Sequence, residues 1–596
     1  MLVEWLFEVK TQDTTYNWST KDTEFENTFY EGIIDPTSFN GINESISDSN
    51  GVVTPSDVSF TIVFTDSIVK DSNSLNIELE DLLLDERNEL VESNFNNSDA
   101  TVKLIIDGVL DTTWKFKVKR LEQYYRKGNF FLENILNAYL EGDHPNSVHP
   151  REVWKTETEK SDNYVVPQIF GKAFIPLRSI YTNSTRYYVL GKDAYTYIVD
   201  RVASPKDWSN QSVWDDTYEY SQSTSNGYSI FKAIIADSDG DGEVDANGLW
   251  KDGDFFLDMP TRFTSTELPS TVDGASPVDV IIAFLKDCGI PEEEIDITGS
   301  FETCRTIFQN NGIYWNGGFY TQVARSNRLA SLLAQCNATI RVTDKVELHT
   351  QTTNPVKTLT SSDIIKDSYD SRPSWGVTSD GGYIEFSLSE DMPQDRLTES
   401  LVWSNSLQND TNDVENPSSN VLSLPYIRNS VVAQKLGILY YNKEYDIKGN
   451  ISFSLMPRVD LKDVKIGDFL EINDPIYGNT TKVLVSSINY QKDLSINIEA
   501  IKFRNEPLDF SDIVVDVITP EVDTEEDYWY TPTTDTLTPN KSLELVSSDL
   551  IITYSGNETP TQNVVDFTAE VTDIPACDGV YLVVNNALGS EEILEM

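Results

Sequence analysis

The sequence predicts a mainly β, multi-domain protein with a few short helices, a β-rich α+β class. Three observations lead there. At about 150 residues per domain, 596 residues suggest roughly four domains. Aromatic residues make up 11% of the chain, with Tyr and Phe dominant, and Asn, Ser, Thr and Asp are abundant, which is the composition of sheets joined by many turns. Period-two alternation recurs along the chain, whereas well-formed amphipathic helix patterns stand out at only three places.

Residues 1–142 read as a small barrel or sandwich. A strand covers Trp5 to Val9, Val58, Phe60, Ile62 and Phe64 alternate with Ser59, Thr61 and Val63, and Trp114, Phe116 and Val118 alternate with lysines. Leu82, Leu83 and Leu84 in an acidic context predict a short helix. Residues 143–203 are connecting hairpins. They open on a polar stretch holding His144 and His149, each followed by proline, which reads as a surface connection because no converging second cluster of metal ligands is visible. Val165 to Phe170 and Ala173 to Leu177, split by Gly171 and Lys172, predict a tight hairpin, and Tyr187 to Val202 predicts a second one turning at Gly191 and Lys192.

Residues 204–265 form a polar insertion containing DSDGDGEVD, Asp237 to Asp245. Asp237, Asp239, Asp241 and Asp245 fall at positions one, three, five and nine of a calcium loop, and Glu243 at seven. Gly242 takes the sixth position, where such a loop turns sharply, and Val244 the apolar eighth. Hard Ca2+ wants an oxygen cage of this kind. The pattern departs at position twelve, where Gly248 replaces the bidentate glutamate and Asp252 or Asp254 would have to substitute. An acidic surface turn is the competing reading, since Asp-Gly pairs favour turns.

Residues 266–370 predict an α+β domain. Ser276 caps a helix with Pro277 at its first position, an apolar stripe of Val280, Ile281, Phe284, Leu285 and Cys288, and Gly289 after its end. A second helix spans Ser326 to Cys336 with Asn337 as a left-handed stop, and a hairpin follows, Ala338 to Val342 and Lys345 to His349. For Cys288, Cys336 and His349 the expectation is packing or a polar strand position. Residues 371–513 predict a second antiparallel barrel: a strand at Tyr383 to Leu388, a helix from Tyr426 to Tyr441 behind Pro425, and strands Ile451 to Leu455, Phe469 to Ile472, Lys482 to Val485 and Ile496 to Ile501. Residues 514–541, rich in proline, threonine and acids, read as a linker. Residues 542–596 carry four or five short strand patterns, Leu543 to Val546, Leu550 to Tyr554, Val564 to Val571 and Val580 to Val584 among them, and suit a small immunoglobulin- or fibronectin-like sandwich.

Lys and Arg number 45 against 97 Asp and Glu, a formal net charge of −52. Such a surface repels polyphosphate, so gripping DNA or RNA by backbone neutralisation is not expected. It suits either salty surroundings or a wall that lets nucleic acid pass without sticking. Cys288, Cys304, Cys336 and Cys577 are too few and too far apart for a disulfide framework and are expected to be reduced. MLVEWLFEVK is acidic where a signal peptide is basic and then apolar, so ordinary secretion is not expected. No HExxH, no Cys-His-Asn order in a suitable context and no defensible pair of catalytic acids is present, so no catalytic residues are expected.

In this order the chain resembles the central tail hub and tail-tip proteins, or baseplate hubs, of long-tailed bacteriophages. Three places carry the resemblance: VPQIFG followed by IPL, Val166 to Leu177; SPVDVIIAFLKDCGIPEEEIDI, Ser276 to Ile297, followed by RLASLLAQCNATIRVTDKVELH, Arg328 to His349; and LKDVKIGDFLEINDPIYGNTTKVLV, Leu461 to Val485. Together they span roughly residues 1–510. The resemblance implies two tube-protein-like β-barrels per chain and a homotrimer whose three chains imitate a six-fold ring, closing a tail tube and forming a channel for DNA ejection. It implies as partners the distal tail and tail tube proteins, the tape measure protein, tip fibre or receptor-binding proteins and the host envelope, with phage DNA passing through unbound. The expected location is the distal tail tip of a virion, and the carboxyl-terminal module leans towards a non-contractile tail. Two other classes stay open: an extracellular calcium-binding β-rich adhesin, and a carbohydrate-binding or carbohydrate-active protein.

Overall fold

The period-two pattern of the amino-terminal strands produces a closed barrel. The computed structural model describes residues 3–515 apart from 13, 47–50, 64–94, 125–126, 147–152, 154–163, 177–178, 183–184, 193–200, 206–213, 216–218, 235–255, 264–267, 269, 272, 351, 374–380, 387–396, 404–416, 446, 457–460, 462–463, 476–477, 492–494, 504–507, 512 and 514, and beyond these residues 550–553, 566–569, 581–585 and 591–595. The described chain is mainly β with a few short helices, as the sequence predicts. It divides into two compact units, Met1–Tyr530 and Thr531–Met596.

In the first unit, six antiparallel strands run in the order Thr15–Ser19, Val3–Lys10, Asp99–Ile106, Val109–Tyr124, Lys127–Asn134, Val58–Val63. The two outer strands are then joined by one short segment. Ser19 N donates to Glu31 O and Ile34 N to Ser19 O, at 2.8 and 3.0 Å, while Val63 N donates to Ile33 O and Asp35 N to Thr61 O, at 2.7 and 2.8 Å. Residues 31–35 thus satisfy both edges and close the sheet, removing the exposed edges that invite foreign strands. Alternate side chains fill the interior: Phe60 stacks on Phe130, Phe7 tilts against Phe60 and Trp18 against Phe130, and Trp5 lies on Trp114 with ring centroids 5.8 Å apart. Burying each such ring is worth about 1.5–3 kcal/mol.

A second barrel closes by the same device. Its strands follow the order Phe469–Asn473, Thr480–Gln491, Ile496–Phe503, Ile447–Leu455. Lys357–Leu359 pairs in parallel with the Phe469–Asn473 edge, and a few residues later Ile364 bridges to Leu455 and Asp370–Pro373 pairs with Ile447–Leu455 at the opposite edge. The strands expected at 451–455, 469–472, 482–485 and 496–501 are all present.

The barrels are welded by a hairpin that lies between the first barrel's strands in sequence but joins the second barrel's sheet, Gly41–Ile46 and Val52–Pro55. Gly41–Ile46 pairs with Thr480–Gln491 from Ser487↔Ser45 to Gln491↔Gly41, beside the place where the same strand pairs with Phe469–Asn473. On the hairpin's other side, Val52 and Val53 pair in parallel with Ile340 and Arg341. One apolar cluster consequently runs through both barrels, from Trp5 and Phe7 to Ile498 and Ala500.

Against this pair lies a helical module with its own core. The helix Pro277–Asp287 begins at Ser276 and Pro277 as predicted, and Gly289 follows with φ +96°. The helix Arg325–Ala334 ends before Asn337, whose φ of +48° is the expected left-handed stop, and the hairpin Ala338–Val342 and Val346–Thr350 follows. The third helix, Ser430–Tyr445, starts four residues later than Tyr426 because Asn429 is its cap: Asn429 Oδ1 accepts from Val431 N and Val432 N at 3.0 and 3.1 Å. A helix at Glu302–Asn310 was not predicted; its sequence ETCRTIFQN is mostly polar, and it is entered through a π turn at Ile297–Phe301.

Both expected hairpins of the connecting region are corrected. Tyr164–Pro176 is one continuous strand: up to Phe170 it pairs with Gly317–Thr321, and from Gly171 onward with Phe256–Phe263. Gly171, at φ +62°, bends the strand without reversing it. Thr185–Lys192 likewise continues through Gly191 and Lys192, which pair with Ser229 and Tyr228. The predicted helix at Leu82 to Leu84 and the calcium loop at Asp237 to Asp245 lie outside the described residues. In the second unit, Leu550–Thr553 pairs with Asp566–Ala569 and Tyr581–Asn585 with Glu591–Glu595, both antiparallel.

Candidate functional site

The chemistry of the described residues is concentrated at the joints between these bodies. At the first joint, Arg341 projects from Ala338–Val342 towards Glu44 of the welding hairpin, its Nη2 standing 3.2 and 3.1 Å from the two carboxylate oxygens. Trp114 Nε1 of the first barrel donates to the same carboxylate at 2.5 Å. Glu44 is wholly buried and Arg341 is 5% exposed. Burial alone would lower the guanidinium's pKa, but the facing Glu44 carboxylate outweighs it and the value is raised. The charge array continues outward: Glu347 accepts from Lys465 Nζ of the second barrel at 2.7 Å and contacts His349 Nε2 at 3.1 Å. Burial would raise the Glu347 carboxyl, yet these two partners pull it down to about 2. One joint therefore ties hairpin, first barrel and second barrel through paired charges, which hold only while every partner is in place.

The second joint is the bend at Gly171. Lys172 N donates to Asn316 Oδ1 at 2.7 Å, Asn316 Nδ2 donates to Asp273 O at 2.9 Å, and Asn316 N to Tyr426 O at 2.9 Å. A Cβ on Gly171 would meet Asn316 Oδ1 and Trp315 O at 2.5 Å, so backbone and amide occupy the space that any side chain needs.

The third joint corrects an expectation. The segment opening at Asp143 reads as a surface connection, but His144 has no exposed surface. Asp143–His144 pairs with Val323–Ala324, which turns the imidazole inward onto Phe284 and Phe319, at 4.7 and 5.1 Å between ring centroids. Among the described residues neither ring nitrogen has a hydrogen-bond partner, and Asp287 Oδ2 stands 3.6 Å from Nε2, beyond hydrogen-bond range. Arg325 fastens the surrounding linker: its backbone N donates to Gly142 O at 2.9 Å, Nη1 to Tyr139 O at 2.9 Å and Nη2 to Asn146 Oδ1 at 2.9 Å. Desolvation pushes the His144 pKa below its ordinary value, Asp287 opposing and Arg328 and Arg325 assisting.

The remaining sequence candidates divide plainly. Cys288, Cys304 and Cys336 are buried free thiols, raised by burial, to about 12 for the first two. His349 is the strand residue beside Glu347. His149 and Cys577 lie outside the described residues. Among the described residues, no group of three or more His, Cys, Asp or Glu gathers where it could hold a metal ion, and the predicted set Asp237, Asp239, Asp241, Glu243 and Asp245 is not among them.

No family model and no curated protein matches this sequence. Among solved structures, the chain is similar to the 43 kDa tail protein of prophage MuSo2 from Shewanella oneidensis, at 9% identity and a TM-score of 0.34, covering 86% of this chain and 100% of that one. It is also similar to a tail protein from Neisseria meningitidis MC58, at 8% identity and 0.32 over 85% and 99%, and to a chain in the virion of a native gene transfer agent particle, at 10% identity and 0.38 over 61% and 89%. At such identities and scores these likenesses settle no function.

Proposed function

We propose that the chain is a structural virion protein, the hub that closes the distal end of a phage tail tube as a homotrimer and forms the channel through which DNA leaves. The observation that carries this reading is the pair of barrels within one polypeptide, each sealed by a single segment bonded to both edges and the two joined by a shared hairpin. Three chains would then present six barrels to a six-fold tube and a three-fold face to the tip. The resemblance of Val166 to Leu177, Ser276 to His349 and Leu461 to Val485 to tail hub proteins supports the same reading. On it, the chain is not an enzyme. Its partners are the distal tail and tube proteins, the tape measure protein and the tip fibre or receptor-binding proteins, and the host envelope is what the tip meets. The charge of −52 gives the channel a wall that does not hold exiting DNA. Ca2+ held by Asp237, Asp239, Asp241, Glu243 and Asp245 belongs to this proposal as a stiffener of the inserted loop.

Native mass measurement tests the assembly. A species of three times the 67.3 kDa chain mass with a central channel is expected, and a monomer at working concentration would overturn it. Metal analysis of the Asp239→Ala, Asp241→Ala double variant tests the loop: loss of one bound Ca2+ per chain is expected, and unchanged content sinks the site.

A further inference from the structure

Beyond that role, and independent of it, we propose that the corner at His144 is an acid-released latch: protonation of the buried imidazole frees the linker 139–146 from the helical module. The ring has no exposed surface, lies edge-on to Phe284 and Phe319, and finds no hydrogen-bond partner among the described residues. An imidazolium in that position is a buried cation whose nearest carboxylate oxygen, Asp287 Oδ2, stands 3.6 Å from Nε2, outside hydrogen-bond length.

The charged groups around it make matters worse for the cation. From the helix Pro277–Asp287 comes one carboxylate, Asp287, whose Oδ2 already accepts from Gln168 Nε2 of the crossing strand. From the helix Arg325–Ala334 come two guanidiniums, Arg325 and Arg328, the latter held by Tyr426 Oη at 3.1 Å and Thr321 O at 2.9 Å and so unable to retreat. On the linker itself stand Glu141 and Asp143, both exposed, and Tyr139. From the strand Gly317–Thr321, Phe319 packs against the ring. Two fixed positive charges against one shared negative charge leave hydration as the stabilising route for the proton. Water reaches the ring only if the linker lifts.

What must let go is small. Val323–Ala324 and Asp143–His144 form a two-residue ladder, Arg325 donates to Gly142 O, Tyr139 O, Asp143 O and Asn146 Oδ1, Asn146 Nδ2 donates to Asp287 O, and Gln322 Nε2 donates to Pro145 O at 3.3 Å. These are few, partly exposed bonds, the kind that open locally while a core stays folded.

Hydrogen exchange on the full chain tests the latch, read at pH 7 and pH 5 and corrected for intrinsic rates. Peptides over 139–146 and the Arg325 amide are expected to lose at least tenfold in protection at pH 5 while Ile496–Phe503 does not change, and His144→Phe is expected to abolish that difference. Equal loss in both proteins, or none in the unaltered chain, overturns the proposal. Should His144→Phe fail to fold, the imidazole Cε1–H titration of the unaltered chain decides. It is expected to follow the loss of linker protection point for point, and a ring that titrates while 139–146 stays protected overturns the latch.

Discussion

Arg341 is the one charged residue in ATIRV, a strand whose five side chains are all buried, and its partner Glu44 lies 297 positions away. Truncating the guanidinium in Arg341→Met leaves an uncompensated carboxylate at zero exposure, a change expected to lower unfolding free energy by about 3–5 kcal/mol. Adding Glu44→Gln, which keeps an acceptor for Trp114, is expected to restore most of that loss. Denaturant midpoints of the two variants check it; a double variant no better than the single would mean the pair is not the cause. Glu347 carries the acid dependence of the same joint. Its folded value of about 2 lies below the unfolded 4.5, so its contribution is complete above pH 4.5 and is lost as pH falls towards 2. The stability advantage of the unaltered chain over Glu347→Gln should therefore vanish across that window, followed by thermal midpoint against pH. The partnerships of Arg341 with Glu44 and of Glu347 with Lys465 are not legible locally. What the sequence does show is the oddity of an arginine between Ile340 and Val342, a signal of burial with a distant partner that never names the partner.

At the scale of elements, legibility follows how local the deciding interaction is. Pro277 and Asn337 punctuate helices through their own backbone preferences, and the structure places them as read. Gly171 carries the same kind of local signal, yet the Asn316 side chain packs against it and accepts from the next residue, Lys172 N, so a residue that reads as a turn instead bends a strand that passes between two sheets. Gly171→Ala is accordingly expected to destabilise by about 1–3 kcal/mol, because the methyl meets Asn316 Oδ1 and Trp315 O at 2.5 Å in a left-handed backbone. Chemical denaturation measures the loss, and Asn316→Gly in the same background should recover part of it by clearing the amide. His144 reads as exposed because its polar neighbours are; its burial is decided by a two-residue ladder to Val323–Ala324 that no pattern near Asp143 announces.

For the whole molecule, the shared hairpin and the continuous aromatic and aliphatic core mean that the barrels are not independent. Phe7→Ala, a cavity in the first barrel, is expected to weaken hydrogen-exchange protection in Thr480–Gln491 of the second as strongly as in Val3–Lys10, by about 3–5 kcal/mol. Protection lost in the first barrel alone would show two separable bodies. The sequence reads each barrel as a run of strands in its own stretch of chain. The hairpin that belongs to both escapes such a reading, because Gly41–Ile46 looks like any other short strand of the first.

That hairpin also sets a schedule. Gly41 meets Gln491, 450 positions further along the chain, so the edge it covers does not exist until nearly all of the first unit has been made. At about 5–20 residues per second, the amino-terminal strands emerge from the ribosome roughly 20–90 s before their partner. Through that interval Gly41–Ile46 is an unsatisfied edge, open to strands of neighbouring nascent chains, and the rate of obtaining correctly assembled protein is governed by how long it is kept from them.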